Sequence, residues 1–238
     1  MPARLYVDTP LAPGLVLDLP PGPARHVQVL RLQPGAPLTL FDGRGGEWAA
    51  TVRRMGRSDV QVELGAHDPV ERETACRVTL ALGMPANERM DTLVEKATEL
   101  GVAVVQPLHC ERSVLRLAGE RAMKKVEHWR AVAVSASEQC GRTRVPQVAE
   151  VQPLAGWLAG LAAVPDERRW VLSLRDGPAL AFGPGAAAAC CFLSGPEGGL
   201  SPTEEDAARR AGFEPVSLGA RVLRADTAPL AALVLATR

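Results

Sequence analysis

Two stretches carry residues whose types and spacing point to chemistry. The first is Ser194-Gly195-Pro196-Glu197-Gly198-Gly199-Leu200-Ser201-Pro202-Thr203-Glu204. Three glycines and a proline in five positions let a backbone turn sharply and lie close to something that a Cβ would strike. Two readings stand: a tight strand-to-helix turn, and a cradle for a ligand. A phosphate cradle is disfavoured, because no Gly-Lys-Ser/Thr ending follows and Glu197 repels an anion from the helix start. A neutral or cationic ligand held through backbone groups suits the loop better. The second stretch is Leu218-Gly219-Ala220-Arg221-Val222-Leu223-Arg224-Ala225-Asp226-Thr227-Ala228. Its two arginines precede a helix that is apolar on every face, so they fit an interior only where they meet carboxylates or a ligand. A third cluster, Glu138-Gln139-Cys140-Gly141-Arg142, puts a cation where a helix ends, which complements the helix dipole.

The elements that must position these residues follow from periodicity. Residues 1–70 read as short strands with turn punctuation, over 4–7, 15–19, 26–32, 38–41, 47–53 and 59–64, and suggest a small barrel. Residues 42–46 form a hairpin-type turn. Residues 67–76 are polar and read as a link. The pattern then changes to strand and helix in alternation. A strand over 78–84, a helix over 88–100 and a strand over 102–107 make a βαβ unit with parallel pairing. A long helix over 119–140, a short one over 153–164, a strand over 170–174 and a loop over 176–185 come next. The strand at 191–194 enters the glycine turn. Ser201 caps the following helix, Pro202 takes its first position and Glu204 completes a capping box. Gly212 ends that helix, 216–218 is the last strand, and Asp226 or Thr227 caps the apolar helix over 229–236.

The totals bound the answer. Lys+Arg and Asp+Glu both number 27 among 238 residues, so no global field drives the chain onto nucleic acid or membrane. Any RNA contact comes from a local patch, with Arg4, Arg25, Arg31, Arg53, Arg54 and Arg57 as its candidates. Five cysteines without C-x-x-C spacing point to reduced thiols, and four scattered histidines give no metal site. No leader and no membrane-length apolar run is present, which predicts a soluble, cytoplasmic protein.

The two stretches together resemble the uridine-N3 methyltransferase family that modifies small-subunit ribosomal RNA, within the SPOUT superfamily. The same likeness extends to Met90-Asp91, to Lys96-Ala97-Thr98-Glu99-Leu100-Gly101, to Glu111-Arg112-Ser113 and to residues 138–142. Residues 4–10 and 26–31, with Phe41-Asp42-Gly43, are similar to the family's N-terminal domain. The chain departs from the family pattern at Asp226, where Glu is usual, at Arg89, where Lys is common, and at His26, one histidine where a pair is common.

The resemblance implies an α/β protein in two parts. A PUA-like β-barrel that binds RNA occupies residues 1–70, and a SPOUT domain with a parallel sheet and a deep trefoil knot occupies 74–238. It also implies a homodimer. S-adenosylmethionine is expected among three segments: Leu172, Ser173 and Leu174; Gly195, Pro196, Glu197, Gly198 and Gly199; and Leu218, Gly219, Val222 and Leu223. The implied reaction turns a uridine out of its stack, takes the proton from N3 and moves a methyl group to it. Arg142, Arg224 and then Arg221 are the candidates to steady charge on the uracil oxygens. Glu138 or Asp226 accepts the proton or orients an arginine, and Arg4 and Arg31 hold rRNA phosphates. The alternatives are a SPOUT ribose 2′-O-methyltransferase and a non-catalytic RNA-binding assembly module.

Overall fold

The protein was analysed as a computed structural model, which describes residues 2–237 apart from 58, 87–88, 176 and 182–186. Residues 176 and 182–185 of the expected 176–185 loop therefore lie outside the described residues. The chain divides into two compact units: residues 1–73 with 137–145, and residues 74–136 with 146–238. The short segment 137–145 groups with the first unit although it lies deep in the sequence of the second, so a single cut near residue 70 leaves it out.

The first unit is a five-stranded sheet and a helix. β1 (Ala3–Tyr6), β2 (Val16–Asp18), α1 (Pro21–Val29), β3 (Pro37–Phe41), β4 (Glu47–Met55) and β5 (Val60–Asp68) follow in order. The sheet runs β1-β3-β4-β5-β2, with β1 parallel to β3 and the remaining pairs antiparallel. Alternate residues Leu38 and Leu40, and Val60, Val62 and Leu64, face one core, joined by Ala24 and Val27 of the helix. Residues 26–32 were predicted as a strand, and most of them belong to a helix instead. Pro21 presets the first helical φ, Ala24 and Val27 bury an i, i+3 stripe, and Val29 is left 70% exposed. A short apolar run cannot separate the two periods by itself, and the contact with the sheet decides for the helix.

The second unit opens with β6 (Arg77–Gly83), α2 (Arg89–Glu99), β7 (Val104–His109) and α3 (Gly119–Cys140), whose last turn belongs to the first unit. It continues through β8 (Gln147–Val148), β9 (Gln152–Pro153), α4 (Leu154–Ala159), β10 (Glu167–Leu172), β11 (Ala189–Ser194), α5 (Pro202–Arg210), β12 (Glu214–Val216) and α6 (Thr227–Ala236). Its sheet is parallel throughout, in the order β12-β10-β11-β6-β7-β8, with β9 also beside β7. The β6-α2-β7 unit makes the expected parallel pair, because Met90, Leu93, Val94 and Ala97 bury one helical face. α4 is shorter than the predicted 153–164 and ends at Gly160.

Local signals around the glycine turn act as their types require. Ser201 Oγ accepts from the Glu204 N–H at 3.3 Å while Glu204 Oε2 accepts from the Ser201 N–H at 2.9 Å, a complete capping box. The start of α6 differs from expectation. Asp226 occupies the cap position in helical geometry with no side-chain capping bond, and the first N–H groups, of Thr227 and Ala228, donate to Arg224 O at 3.0 Å. α6 also does not bury every face: Pro229, Ala232, Leu233 and Ala236 are covered, and Leu235 is 40% exposed. Among the described residues no helix is long and apolar enough to cross a membrane, and no three His, Cys, Asp or Glu residues are grouped to hold a metal.

Candidate active site

The order β12-β10-β11 places β10 between the two strands that follow it in sequence. A parallel sheet opens a crevice beyond its C-terminal strand ends where successive connections part to either side. There the second unit has a cavity of about 560 Å³, within the usual range for a small-molecule site. Three segments wall it: 172–175 after β10, 194–200 after β11, and 216–225 after β12. All twelve residues expected to hold a cofactor lie on that wall, as do Arg221 and Arg224.

Hydrogen bonds lock the walls to one another. Ser173 N–H donates to Val216 O at 3.0 Å, and Leu180 N–H donates to Ser217 O at 2.9 Å. Within the glycine turn, Gly199 N–H donates to Pro196 O at 2.8 Å. Arg112 Nη1 donates to Gly198 O at 2.9 Å, and its stem lies so close that a Cβ on Gly198 would stand 3.0 Å from Arg112 Cβ. Gly195 is tighter still: a Cβ there would lie 2.6 Å from Leu200 N and 2.8 Å from Gly199 C. Glu197 accepts from Ala86 N–H at 2.9 Å and pairs at 3.4 Å with Arg89, which also lines the cavity. The turn is thus packed backbone against backbone and presents main-chain groups to the cavity, beside the apolar side chains of Leu172, Leu174, Leu218 and Leu223. The charged side chains of the lining are Arg89, Arg112, Arg175, Arg221 and Arg224 with Glu197 and Glu205, and no lysine is among them.

Three expected residues have other positions. Arg142 and Glu138 are not among the cavity's lining residues; both are bonded within the first unit. The Arg142 side chain is 6% exposed, with Nε donating to Glu73 Oε1 at 2.9 Å and Nη2 close against Glu73 Oε2. Glu138 accepts from the Tyr6 N–H at 2.9 Å, and burial raises its carboxyl above the ordinary range despite that bond. Arg4 donates to Glu47 at 3.0 Å, to Ser137 O at 2.9 Å and to Arg142 O at 2.7 Å, and stacks 3.9 Å above the Phe41 ring. With these partners it closes the end of α3 rather than offering itself to a phosphate. Arg4 and Arg72, whose Nη1 donates to Gly141 O at 2.9 Å, are cations that complement that helix end. Arg31, in contrast, is exposed and sits just past α1 at φ 53°.

Asp226 does not line the cavity either. It lies two residues beyond Arg224, and its Oδ1 is buried without a hydrogen-bond partner among the described residues. Sequence reasoning missed Arg112 and Glu205 as parts of the wall. The Glu111-Arg112-Ser113 motif was a signal for the first. Nothing local marks the second, which looks like any acidic residue in a first helical turn.

A structure of this kind, a PUA domain followed by a methyltransferase domain with a glycine-walled cavity at its strand ends, defines a class of RNA-modifying proteins. The sequence matches the model of an RNA methyltransferase domain over residues 72–237, and that of an RNA methyltransferase PUA domain over 24–65. The chain belongs to the ribosomal RNA small subunit methyltransferase E family. It is 32% identical to the member from Synechocystis sp. over 87% of this chain and 67% of that one. It is 31% identical to the member from Mycobacterium bovis over 96% and 88%. A crystal structure of the Neisseria gonorrhoeae member bound to S-adenosyl methionine superimposes with a TM-score of 0.90 at 33% identity, covering 98% of this chain and 95% of that one. The Legionella pneumophila protein Lpg2936, solved with the cofactor SAM, gives 0.92 at 32% identity, covering 98% and 96%.

Proposed function

We propose that this protein methylates N3 of a uridine in small-subunit ribosomal RNA, with S-adenosylmethionine as the donor. The observation that carries the reading is the single cavity walled by all three segments at the C-terminal strand ends. When bound, the cofactor supplies an electrophilic methyl group. The chain supplies everything else: a dry cradle, a fixed orientation, and charge beside the acceptor. Uridine N3 lies on the pairing edge, so the base must leave its stack before reaction. Arg224, with Arg221 beside it, stabilises the negative charge that spreads to the uracil oxygens as N3 gives up its proton. The proton from N3 passes to water or to Asp226, the carboxylate two residues beyond Arg224. Arg142 and Glu138 act structurally, in the first unit. The trefoil knot and the homodimer implied by the family belong to this proposal, and the exposed Leu235 on α6 suits a second copy.

Mass spectrometry of small-subunit rRNA treated with protein and donor tests the reaction, and a methyl group on a ribose oxygen instead of N3 overturns it. Arg224→Ala is expected to lower kcat about a hundredfold, as loss of one charge-stabilising donor does, with cofactor affinity changed less than about threefold. Full activity of that variant removes Arg224 from the chemistry.

The first unit contributes RNA contacts through Arg31. A side chain with a Cβ is strained at positive φ, and the position after a helix end is one that glycine usually fills. Arg31→Gly is expected to keep thermal stability or raise it by up to about 1 kcal/mol. The same change should weaken rRNA binding and reduce the slope of log K against log salt by roughly one. A salt titration with an unchanged slope removes Arg31 from the RNA interface.

A further inference from the structure

We infer that Glu205 is a positioning residue for the methyl donor, pinning together the three segments that wall the cavity. The inference rests on the cavity being the donor site. Glu205 follows the capping box of α5, so its backbone is tied to the end of the glycine turn, with its N–H donating to Ser201 O at 2.9 Å. Its side chain reaches across to another wall: Ser173 Oγ–H donates to Glu205 Oε1 at 2.5 Å. Ser173 Oγ in turn accepts the Arg175 N–H at 3.1 Å, which shapes the bend of the segment after β10. Ser173 N–H donates to Val216 O at 3.0 Å, where the third segment begins. The Glu205 side chain thus ties the helix behind the glycine turn to the segment after β10, and Ser173 carries the link on to the third segment through its own N–H.

The chemistry of the position supports a role beyond packing. Glu205 is 4% exposed, and a carboxylate is costly to bury unless charge-assisted bonds hold it. Two features offset that cost here. Arg209, one turn on, donates from Nη2 to the same Oε1 at 3.3 Å, and the first turn of α5 favours an anion. Alanine or leucine would cover the sheet from this helix position without any ionic partner. What only an acceptor does is hold the Ser173 hydroxyl, and with it the register of residues 173–175. The other acid on the wall, Glu197, is bonded to Ala86 and Arg89 and to neither of the other two segments.

The test compares wild type, Glu205→Ala, Glu205→Gln and Ser173→Ala by calorimetry with S-adenosylmethionine, and by steady-state rRNA methylation with the donor varied. Glu205→Ala is expected to weaken donor affinity about tenfold or more, with kcat at saturating donor within about threefold of wild type. Glu205→Gln, which still accepts from Ser173, should recover most of the affinity, and Ser173→Ala should fall between. Glu205→Ala binding the donor as wild type does, or losing kcat with affinity intact, overturns the inference. Where Glu205→Ala fails to fold by circular dichroism, Ser173→Ala decides, and unchanged affinity there overturns it. Wild-type protein that binds no donor sinks the assignment of the cavity, a different result from a wild type that binds and a Glu205 that does not matter.

Discussion

Gly195→Ala is expected to remove S-adenosylmethionine binding, weakening it about a thousandfold or beyond detection, and to destabilise the free protein by about 1–3 kcal/mol through the same clash. A Cβ at this position would stand 2.6 Å from Leu200 N and 2.8 Å from Gly199 C, and both are backbone atoms with no rotamer to yield. The turn must open to admit the methyl group, and the main-chain groups it presents to the cavity move with it. Displacements of this size at a preorganised site cost far more than the contact itself suggests. The effect is steric, since Gly195 does not have the positive φ of Gly199, 68°. A control separates this from a general intolerance of alanine. Gly156, within α4, has nothing within 4 Å of a built Cβ, so Gly156→Ala should bind the donor normally and gain up to about 1 kcal/mol of stability. Titration calorimetry and thermal melting of the two variants decide the matter. Wild-type affinity in Gly195→Ala would mean that the turn does not touch the ligand.

The second large effect concerns stability. Arg142→Ala is expected to destabilise the protein by about 2–4 kcal/mol, since it leaves one member of a partly buried ion pair alone. Glu73, at 18% side-chain exposure, would lose its two-pronged partner. The fall in melting temperature should be on the order of 10 °C. Loss of methylation in that variant would therefore say little about chemistry. The informative variant is the double replacement Arg142→Met with Glu73→Leu, which removes both charges and keeps the volume. Stability should return to within about 1 kcal/mol of wild type. If Arg142 is structural, methylation returns as well; if it steadies the uracil anion, a stable double variant stays inactive.

Much of the second unit is legible in the sequence. Residues 194–204 announce a strand, a sharp turn and a capped helix, because each signal is local: a Cβ-free backbone, a proline at the first helical position, and a serine and glutamate three apart. The βαβ unit after residue 76 is equally plain, since the spacing of Met90, Leu93, Val94 and Ala97 is complete within one helix. The first unit is harder to read. Residues 26–32 carry an apolar run too short to fix a period, and only the sheet surface beneath Ala24 and Val27 makes them helical.

The sequence alone determined the turn, the caps and the parallel pairing, because those depend on neighbours a few positions apart, whereas the three segments that wall the cavity were legible only through the family resemblance. The tertiary structure alone decided which charged groups serve the site and which serve the fold. Arg142 and Arg224 look alike in sequence, each an arginine beside a helix end. One lies buried against Glu73, and the other is exposed on the cavity wall. That difference arises from partners 69 residues away in one case and from the meeting of three strand ends in the other. Glu205 gives the same lesson from the opposite side: its neighbours mark it as a solvent-facing acid, and only the approach of Ser173, 32 residues distant, makes it part of the site.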